Sequence, residues 1–466
     1  MPSEPYDIVL LGGGTGGYVA AIRAAQLGMS VAVIEKGKIG GTCLHWGCIP
    51  TKALLKSAAV LTLVQNAKEY GVTTTGVKAD YSKAVKRSEK IVNQNFKGVQ
   101  FLMKKNGVDV IQGTGKLKDK TTVHVDLTEG GTDEVKASKA ILINTGSRPR
   151  PIKGVEFDGD VVVNSDHTTW STKLPKKVII RGGGATGVEF ASIYHEFGCD
   201  VTLVGRVVPN EDHEVSEHLA RTFTKEGIRI IPDYRPTADD IKVTKKGVTM
   251  RIAPEGKEEE VLEADMLMVA TGRTGNIEDI GLEEVGIETE GEFIKTDEFC
   301  RTNVDGIYAF GDINGKMQLA HTAMHWGVIA VEQIAGENPR PMNLLQVPLC
   351  TYCHPEIGSI GMSEQAAKEA GHNVKVGKFP LRANGKAMIE GESDGFIKMI
   401  ADADNDDLLG VHMIGGHATE LISEAALATL LEATPWEIGL AVHPHPTISE
   451  VMHEAALAVD GRALHI

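Results

Sequence analysis

Residues 6–35, YDIVLLGGGTGGYVAAIRAAQLGMSVAVIE, decide the fold. Tyr6 to Leu11 reads as a buried strand, Gly12, Gly14 and Gly17 as a tight turn, YVAAIRAAQLG as a helix ending at Gly28, and VAVIE as a second strand closing on Glu35. In such a unit the first glycine makes the turn, the second lets the backbone approach a pyrophosphate, and the third lets helix and strand pack closely. The helix N-terminus offers free N–H groups and the positive end of its dipole to phosphate oxygens. Glu35, 23 positions after Gly12, is placed to bind ribose hydroxyls. Strand, turn, helix, second strand and acid in register predict a dinucleotide site rather than a plain glycine-rich turn.

The pattern returns at Lys177 to Ile180, followed by Gly182, Gly184 and Gly187, the helical VEFASIYHEFG and the strand DVTLV. A repeated fingerprint means two nucleotide sites. Between the units, 81–139 holds a basic amphipathic helix and the polar strand candidate TTVHVDL, with no chemistry beyond packing. Further on come the strand IYAFGD, a helix over 320–335 and a Pro-containing linker at 338–347. From Pro348 the chain alternates as antiparallel strands do, then ends in the apolar helices LISEAALATLLEA and TISEVMHEAALA, a third, α+β module.

The chain has 466 residues, enough for two to four domains. Its hydrophobic fraction of 42% and charged fraction of 24% fit a globular protein, and no run of about 18 uncharged apolar residues suggests a membrane span. The start, MPSEPYDIVLLGGG, lacks the pattern of a secretory signal, so a cytoplasmic location is expected. The net charge of -15 argues against a nucleic-acid partner, which needs a basic face. Six cysteines are too few for a secreted disulfide scaffold, so their positions matter more than their number.

Cys43 and Cys48 sit in GGTCLHWGCIPTK, just after the first unit, where the next helix would begin. A helix N-terminus lowers thiol pKa and suits redox work, although spacing alone weighs a redox pair and two buried structural cysteines about evenly. The motif resembles the active disulfide of the pyridine nucleotide-disulfide oxidoreductases, and the likeness extends over essentially the whole chain. The resemblance implies an α/β fold: two Rossmann-like dinucleotide-binding domains, for FAD (1-150) and NAD(P) (151-275), a central domain (276-346) completing the FAD site, and a C-terminal α+β dimerisation domain (347-466). It implies that Cys43 exchanges with a substrate disulfide, that Cys48 faces the flavin as the charge-transfer thiolate, and that Lys52 pairs with Glu189 near the flavin and the nicotinamide.

INTGSRP, with Thr145, Gly146 and Ser147, is similar to one crossover motif of that family, and VATGRTGN, with Thr271, Gly272, Arg273 and Asn276, to its partner. GIYAFGDINGKMQLAHTA resembles the second flavin motif, with Asp312 on the ribityl chain and Met317, Leu319, Ala320 and His321 against the ring; Gly115 joins this FAD set by the same resemblance. By residue type alone His321 and His325 read as structural. In HPHPTISE, His445 and Glu450 resemble the family's acid–base pair, and imidazole titrates where a thiol must lose its proton. His443 reads as a surface or packing histidine. The family sets this pair across a twofold axis from the other subunit's cysteines, so a homodimer is expected.

The pattern looks closest to members acting on lipoyl dithiols. The implied reaction oxidises protein-bound dihydrolipoamide to lipoamide through Cys43–Cys48 and FAD and passes hydride to NAD+, with a lipoyl domain and the acyltransferase core of a 2-oxo acid dehydrogenase complex as expected partners. The alternatives are an NADP-dependent disulfide reductase resembling glutathione or mercuric reductases, and a non-catalytic flavin electron-transfer subunit. The end DGRALHI lacks the terminal cysteine pair of mercuric reductases, and Cys43 is a residue that soluble transhydrogenases typically lack. One departure stands out: DVTLV ends in Gly205-Arg206, without the acid that binds the ribose of NAD, and an adjacent cation suits the 2′-phosphate of NADP. NAD is the first expectation and NADP the second. Cys199, Cys300, Cys350 and Cys353 match no redox position, and LCTYCHPE reads as packing rather than a zinc site, since no second ligand pair follows.

Overall fold

The computed structural model describes residues 4–253 and 258–466. The opening stretch forms β1 (Tyr6–Leu11), α1 (Thr15–Gln26) and β2 (Val31–Glu35). β1 runs parallel to β2, with Leu10 beside Val33. The cysteine motif follows as α2 (Gly41–His45) and α3 (Cys48–Gln65), then α4 (Tyr81–Lys105). The single helix start expected at the cysteines is thus two helices, broken at Trp46 and Gly47, where a side chain on Gly47 would crowd the Thr42 carbonyl. Cys43 lies within the first helix, and Cys48 opens the second.

The stretch Gly41–Gln65 is long and apolar enough by composition to cross a bilayer. It packs instead as a core element: Leu54, Leu55 and Ala58 are buried, and Lys52 is engaged in an ion pair. α4 is the expected amphipathic helix, burying Val85, Val92, Val99 and Met103 and capped by the Asp80 carboxylate, which accepts from the Lys83 N–H.

β3 (Asp109–Leu117), β4 (Thr122–Leu127) and β5 (Thr132–Ile143) form an antiparallel meander that starts beside β2 and returns beside β1. The strand Ile307–Ala309 adds to the far side of β5, with Ile307 opposite Ile141. Residues from the segment expected as a separate central domain therefore extend the first sheet. Strands buried on both faces read as continuous apolar runs, which is why YDIVLL and VAVIE lack alternation.

The second unit repeats the design. Strands Lys177–Arg181, Asp200–Val204, Arg229–Ile231, Met266–Val269 and Val162–Val163 make a parallel sheet, and the helix Ala185–Glu196 buries Val188, Phe190, Ala191 and Ile193 against it. A small antiparallel sheet of Ile241–Thr244, Gly247–Ile252 and Glu260–Ala264 lies alongside. The helix Ala320–Ala335, with the bounds expected, packs on α1 so closely that Gly16 and Gly327 leave no room for a side chain.

The C-terminal module is a five-stranded antiparallel sheet, from edge to edge Leu349–Thr351, Ile357–Gly361, Leu408–Ile414, Phe396–Asp402 and Val374–Pro380, backed by the helices Ala418–Leu430 and Glu450–Val459. Lys398 on a central strand is only 2% exposed and meets Asp212 at 3.0 Å, Glu214 at 2.8 Å and Glu364 at 2.7 Å. Asp212 and Glu214 belong to the second nucleotide unit, so this buried charge cluster ties that unit to the C-terminal sheet. Removing Lys398 would leave three carboxylates facing one another with Asp212 buried, a defect of about 3–5 kcal/mol.

Candidate active site

The first glycine turn is shaped by the chain itself. The amide of Gly12 donates to the Ile34 carbonyl at 2.9 Å, and Asn144, at the end of β5, accepts from the Gly17 amide at 2.8 Å while donating to the Phe310 carbonyl at 2.7 Å. Asn144 thereby joins the turn, the crossover motif and the second flavin motif through one side chain. Sequence reasoning passed over it, although a polar residue closing a buried apolar strand was the available signal. Glu35 accepts from the Gly13 amide through one oxygen and from the Gly37 amide through the other, each at 2.7 Å, which fixes the carboxylate at the rim of the turn.

The two crossover segments pair as antiparallel strands, Ser147–Pro149 with Arg273–Gly275. Asn276 and Thr145 exchange hydrogen bonds of 2.8 and 3.0 Å. Ser147 donates its hydroxyl to Asp312 and accepts from Arg273 at 2.7 Å, so Asp312 is held at the meeting of these segments. Met317 and Leu319 present their carbonyls to the Thr322 hydroxyl, and His321 lies 2.9 Å from the Pro348 carbonyl. Burial lowers the pKa of His321. Gly115 sits on β3 against Ile34 and Val123.

These residues fit FAD by three observations. The missing side chain of Gly14, at the N-terminus of α1, faces open space but for Asn144 at 3.4 Å, and no side chain caps that helix. Glu35 waits at the end of β2. Asn314 and Gln318, within the second flavin motif, bury amide nitrogens without a hydrogen-bond partner among the described residues, as donors awaiting an acceptor would.

Cys43 and Cys48 are both half-buried, and their thiol chemistry is unequal in the reduced pair. The Cys48 pKa falls to about 7, because the Cys43 thiol hydrogen-bonds to its sulfur and the Lys52 ammonium attracts its charge, which together outweigh burial. The Cys43 pKa moves the opposite way, since its proton is held by Cys48. Cys48 is therefore the thiolate of the pair. Lys52 places its Nζ 2.8 Å from both carboxylate oxygens of Glu189, on the helix of the second glycine unit. Burial works against the ammonium, but Glu189 and Cys48 outweigh it and hold its pKa above the ordinary value.

Tyr352 braces this pair in a way sequence reasoning missed. Its amide donates to Glu189 at 3.0 Å, and its ring lies 4.6 Å beneath the Lys52 nitrogen. Nothing local in LCTYCHPE signals a contact with a residue 163 positions earlier. The neighbouring Cys353 is in the core, and Cys350 is partly covered with its sulfur toward the Thr419 carbonyl. Burial pushes the thiol pKa of Cys199 and Cys300 up to about 12 and that of Cys350 to about 11.

His445 stands apart from the cysteines. Its Nδ1 lies 2.9 Å from Glu450, and its side chain is 80% exposed. Burial disfavours the charge of Glu450, yet the Thr447 amide and the His445 ring outweigh it and hold the carboxyl pKa below its usual value. His443 is covered and lies between the Ala441 carbonyl and Glu424. Leu427, Leu430, Leu431, Leu440 and Val442, close to His445 in sequence, are apolar and exposed.

Gly182 and Gly184 line a cavity of about 900 Å³, bordered also by Arg206 and Gly272, and Gly187 packs against Gly182. Two glycine turns, a cysteine pair tied to the second of them by Lys52 and Glu189, and a histidine–glutamate pair are the geometry of a disulfide oxidoreductase. Residues 6–327 match the pyridine nucleotide-disulphide oxidoreductase family, and residues 347–456 match its dimerisation domain. The chain belongs to this family.

Among its relatives, a dihydrolipoyl dehydrogenase of Bacillus subtilis is 48% identical, covering 99% of each chain. One from Zymomonas mobilis is 44% identical over 99% of this chain and 100% of its own. In structure, this pyridine nucleotide-disulphide oxidoreductase superposes on LpdA of Mycobacterium tuberculosis with a TM-score of 0.89, at 28% identity, covering 96% of this chain and 98% of that one. The flavoprotein disulfide reductase RclA of Escherichia coli gives a TM-score of 0.86 at 26% identity, over 97% and 99%.

Proposed function

We propose that this chain is a dihydrolipoyl dehydrogenase, working as a homodimer that oxidises the dithiol of a protein-bound lipoyl group and passes the electrons to a nicotinamide dinucleotide. The observation that carries the reading is the Cys48 thiolate, stabilised by Cys43 and by a Lys52 that Glu189 holds in place. The full-length likeness to dihydrolipoyl dehydrogenases supports the dithiol as substrate. The matched dimerisation domain and the exposed apolar side chains near His445 support the homodimer.

FAD, when bound, would supply the two-electron redox chemistry that links the thiols to a nicotinamide. Asn144, Glu35 and Asp312 would hold it, with the amides of the first glycine turn at its phosphates. The protein's residues manage the thiol chemistry. His445 of the partner subunit accepts a proton from the substrate dithiol, while Glu450 orients the imidazole and stabilises its charged form. The substrate thiolate attacks Cys43 in the oxidised pair, breaking the Cys43–Cys48 bond and forming a mixed disulfide; Cys48 leaves as a thiolate. The second substrate sulfur then displaces Cys43, closing the lipoyl disulfide. One disulfide is consumed and one formed, and the two substrate protons are released to His445 and Cys43.

A lipoyl domain and the acyltransferase core of a 2-oxo acid dehydrogenase complex are the partners this reaction calls for, in the cytoplasm. Steady-state oxidation of dihydrolipoamide by the FAD-bound protein tests the reading. Rapid turnover abolished in Cys48→Ser and strongly reduced in His445→Ala is the expected result. Absence of turnover with either nicotinamide dinucleotide, despite bound FAD, would reject the lipoyl substrate.

A further inference from the structure

Lys52 is held from three parts of the chain at once. It lies one turn after Cys48 on α3, its Nζ is 2.8 Å from both carboxylate oxygens of Glu189 on the helix Ala185–Glu196, and the ring of Tyr352 lies 4.6 Å from it. Tyr352 directly follows Leu349–Thr351, an edge strand of the C-terminal sheet. Two amides of that segment fasten it to the helix: Tyr352 donates to Glu189 at 3.0 Å, and His354 to the Ser192 hydroxyl oxygen at 3.2 Å. These are backbone contacts that most residues at position 352 could make, so they leave the choice of an aromatic side chain to be explained.

The charges explain it. The groups facing Cys48 are the Cys43 thiol, which hydrogen-bonds to it, the Lys52 ammonium, which favours the thiolate, and the Glu189 carboxylate, which opposes it. The anion that keeps the buried Lys52 charged thus works against the thiolate that Lys52 supports. An aromatic face escapes this conflict, because its quadrupole attracts a cation while carrying no net charge. Burial raises the pKa of the Tyr352 phenol, so the ring is uncharged near neutral pH; Cys350 and Glu356 are the further titratable groups facing it.

We propose that Tyr352 is a positioning residue for the thiol chemistry: its ring face holds the Lys52 ammonium beside Cys48 without adding negative charge, and so increases the share of Cys48 present as thiolate. The inference rests on the proposed function, in which Cys48 departs as a thiolate. The C-terminal module then serves each thiol site twice, through Tyr352 of the subunit that holds the cysteines and through His445 of the partner subunit.

The test is a pH titration of the phosphine-reduced, FAD-bound protein by its ultraviolet thiolate absorbance, with Cys48→Ser as the blank and no dithiol substrate present. Tyr352→Leu should raise the Cys48 midpoint by about half a unit, leaving an about threefold smaller thiolate share below it, with FAD content unchanged. Tyr352→Phe should titrate with the unaltered protein, and adding Tyr352→Leu to Lys52→Met should shift nothing further. Fluorinated phenylalanines at position 352 keep the ring's shape while draining its face, so the midpoint should climb with each fluorine even if the leucine variant fails to fold. An unmoved midpoint across the fluorinated series, or a shift that survives in the Lys52→Met background, would overturn the role of the ring. Failure of dihydrolipoamide turnover, with these midpoints as expected, would reject the proposed substrate and leave the role of Tyr352 standing.

Discussion

The two glycine turns share a backbone and differ at the end of the following strand. A side chain on Gly17 would stand 2.2 Å from the Gly12 carbonyl oxygen, and one on Gly187 1.9 Å from that of Gly182. Gly14 and Gly184, the middle glycines of the two fingerprints, face open or nearly open space. Two of the three glycines in each fingerprint are thus demanded by the protein's own packing, and the middle one leaves room for a ligand. Past that point the turns diverge, to a carboxylate fixed by two amides at Glu35 and to Gly205 with a cluster of arginines. On the proposed reading each turn takes a pyrophosphate, and the two sites differ at the strand end.

The largest effects should come from filling the tight glycines. Gly17→Ala or Gly187→Ala forces backbone apart and should cost about 3 kcal/mol or more, read as a collapse in soluble protein or a sharply lower thermal midpoint. Gly14→Ala and Gly184→Ala should change stability by about 1 kcal/mol or less, since both glycines already have ordinary φ. Each should weaken one ligand by about 10- to 100-fold: Gly14→Ala should lower FAD retention on gel filtration, and Gly184→Ala should raise the KM for the nicotinamide dinucleotide with FAD retained. If both variants lost the same ligand, the assignment of the turns would be wrong.

A smaller effect belongs to Glu35→Gln. The amide has one accepting oxygen for the two N–H groups of Gly13 and Gly37, so FAD binding should weaken by about tenfold, measured by fluorescence of released flavin.

These contrasts also show how far the sequence could be read. The glycine units, the cysteine pair and the helix over 320–335 were legible because each is a local pattern whose residues must lie next to one another in the chain. Asn144 and Tyr352 were not, since their partners are 127 and 163 positions away and only tertiary packing supplies them. Arg206 was visible as a departure from the fingerprint. The break between α2 and α3 was missed because TCLHWGCIPTK carries no proline before the bend, and the crowding at Gly47 comes from the preceding turn.

The smallest expected shift lies where the two units meet. Cys48 titrates at about 7, so iodoacetamide alkylation of the reduced pair should be half-maximal near that pH and fall about tenfold per unit below it. Because the folded value lies below the ordinary thiol value of 9, the stabilisation of the thiolate is complete above that value and is lost as pH falls through 7. Lys52→Met removes the cation and should move the midpoint up by about one unit. An unmoved midpoint would mean that the thiol of Cys43 alone sets it.

The central claim is that thiol chemistry is divided between two subunits, cysteines from one and His445 with Glu450 from the other. Co-expressing differently tagged Cys43→Ser and His445→Ala chains and assaying dihydrolipoamide oxidation tests it directly. Each variant alone should be nearly inactive, while the hybrid dimer has one intact site. A random mixture should therefore recover about a quarter of full activity, and the purified hybrid about half. Hybrid dimers that bind FAD and stay as inactive as their parents would contradict the shared site.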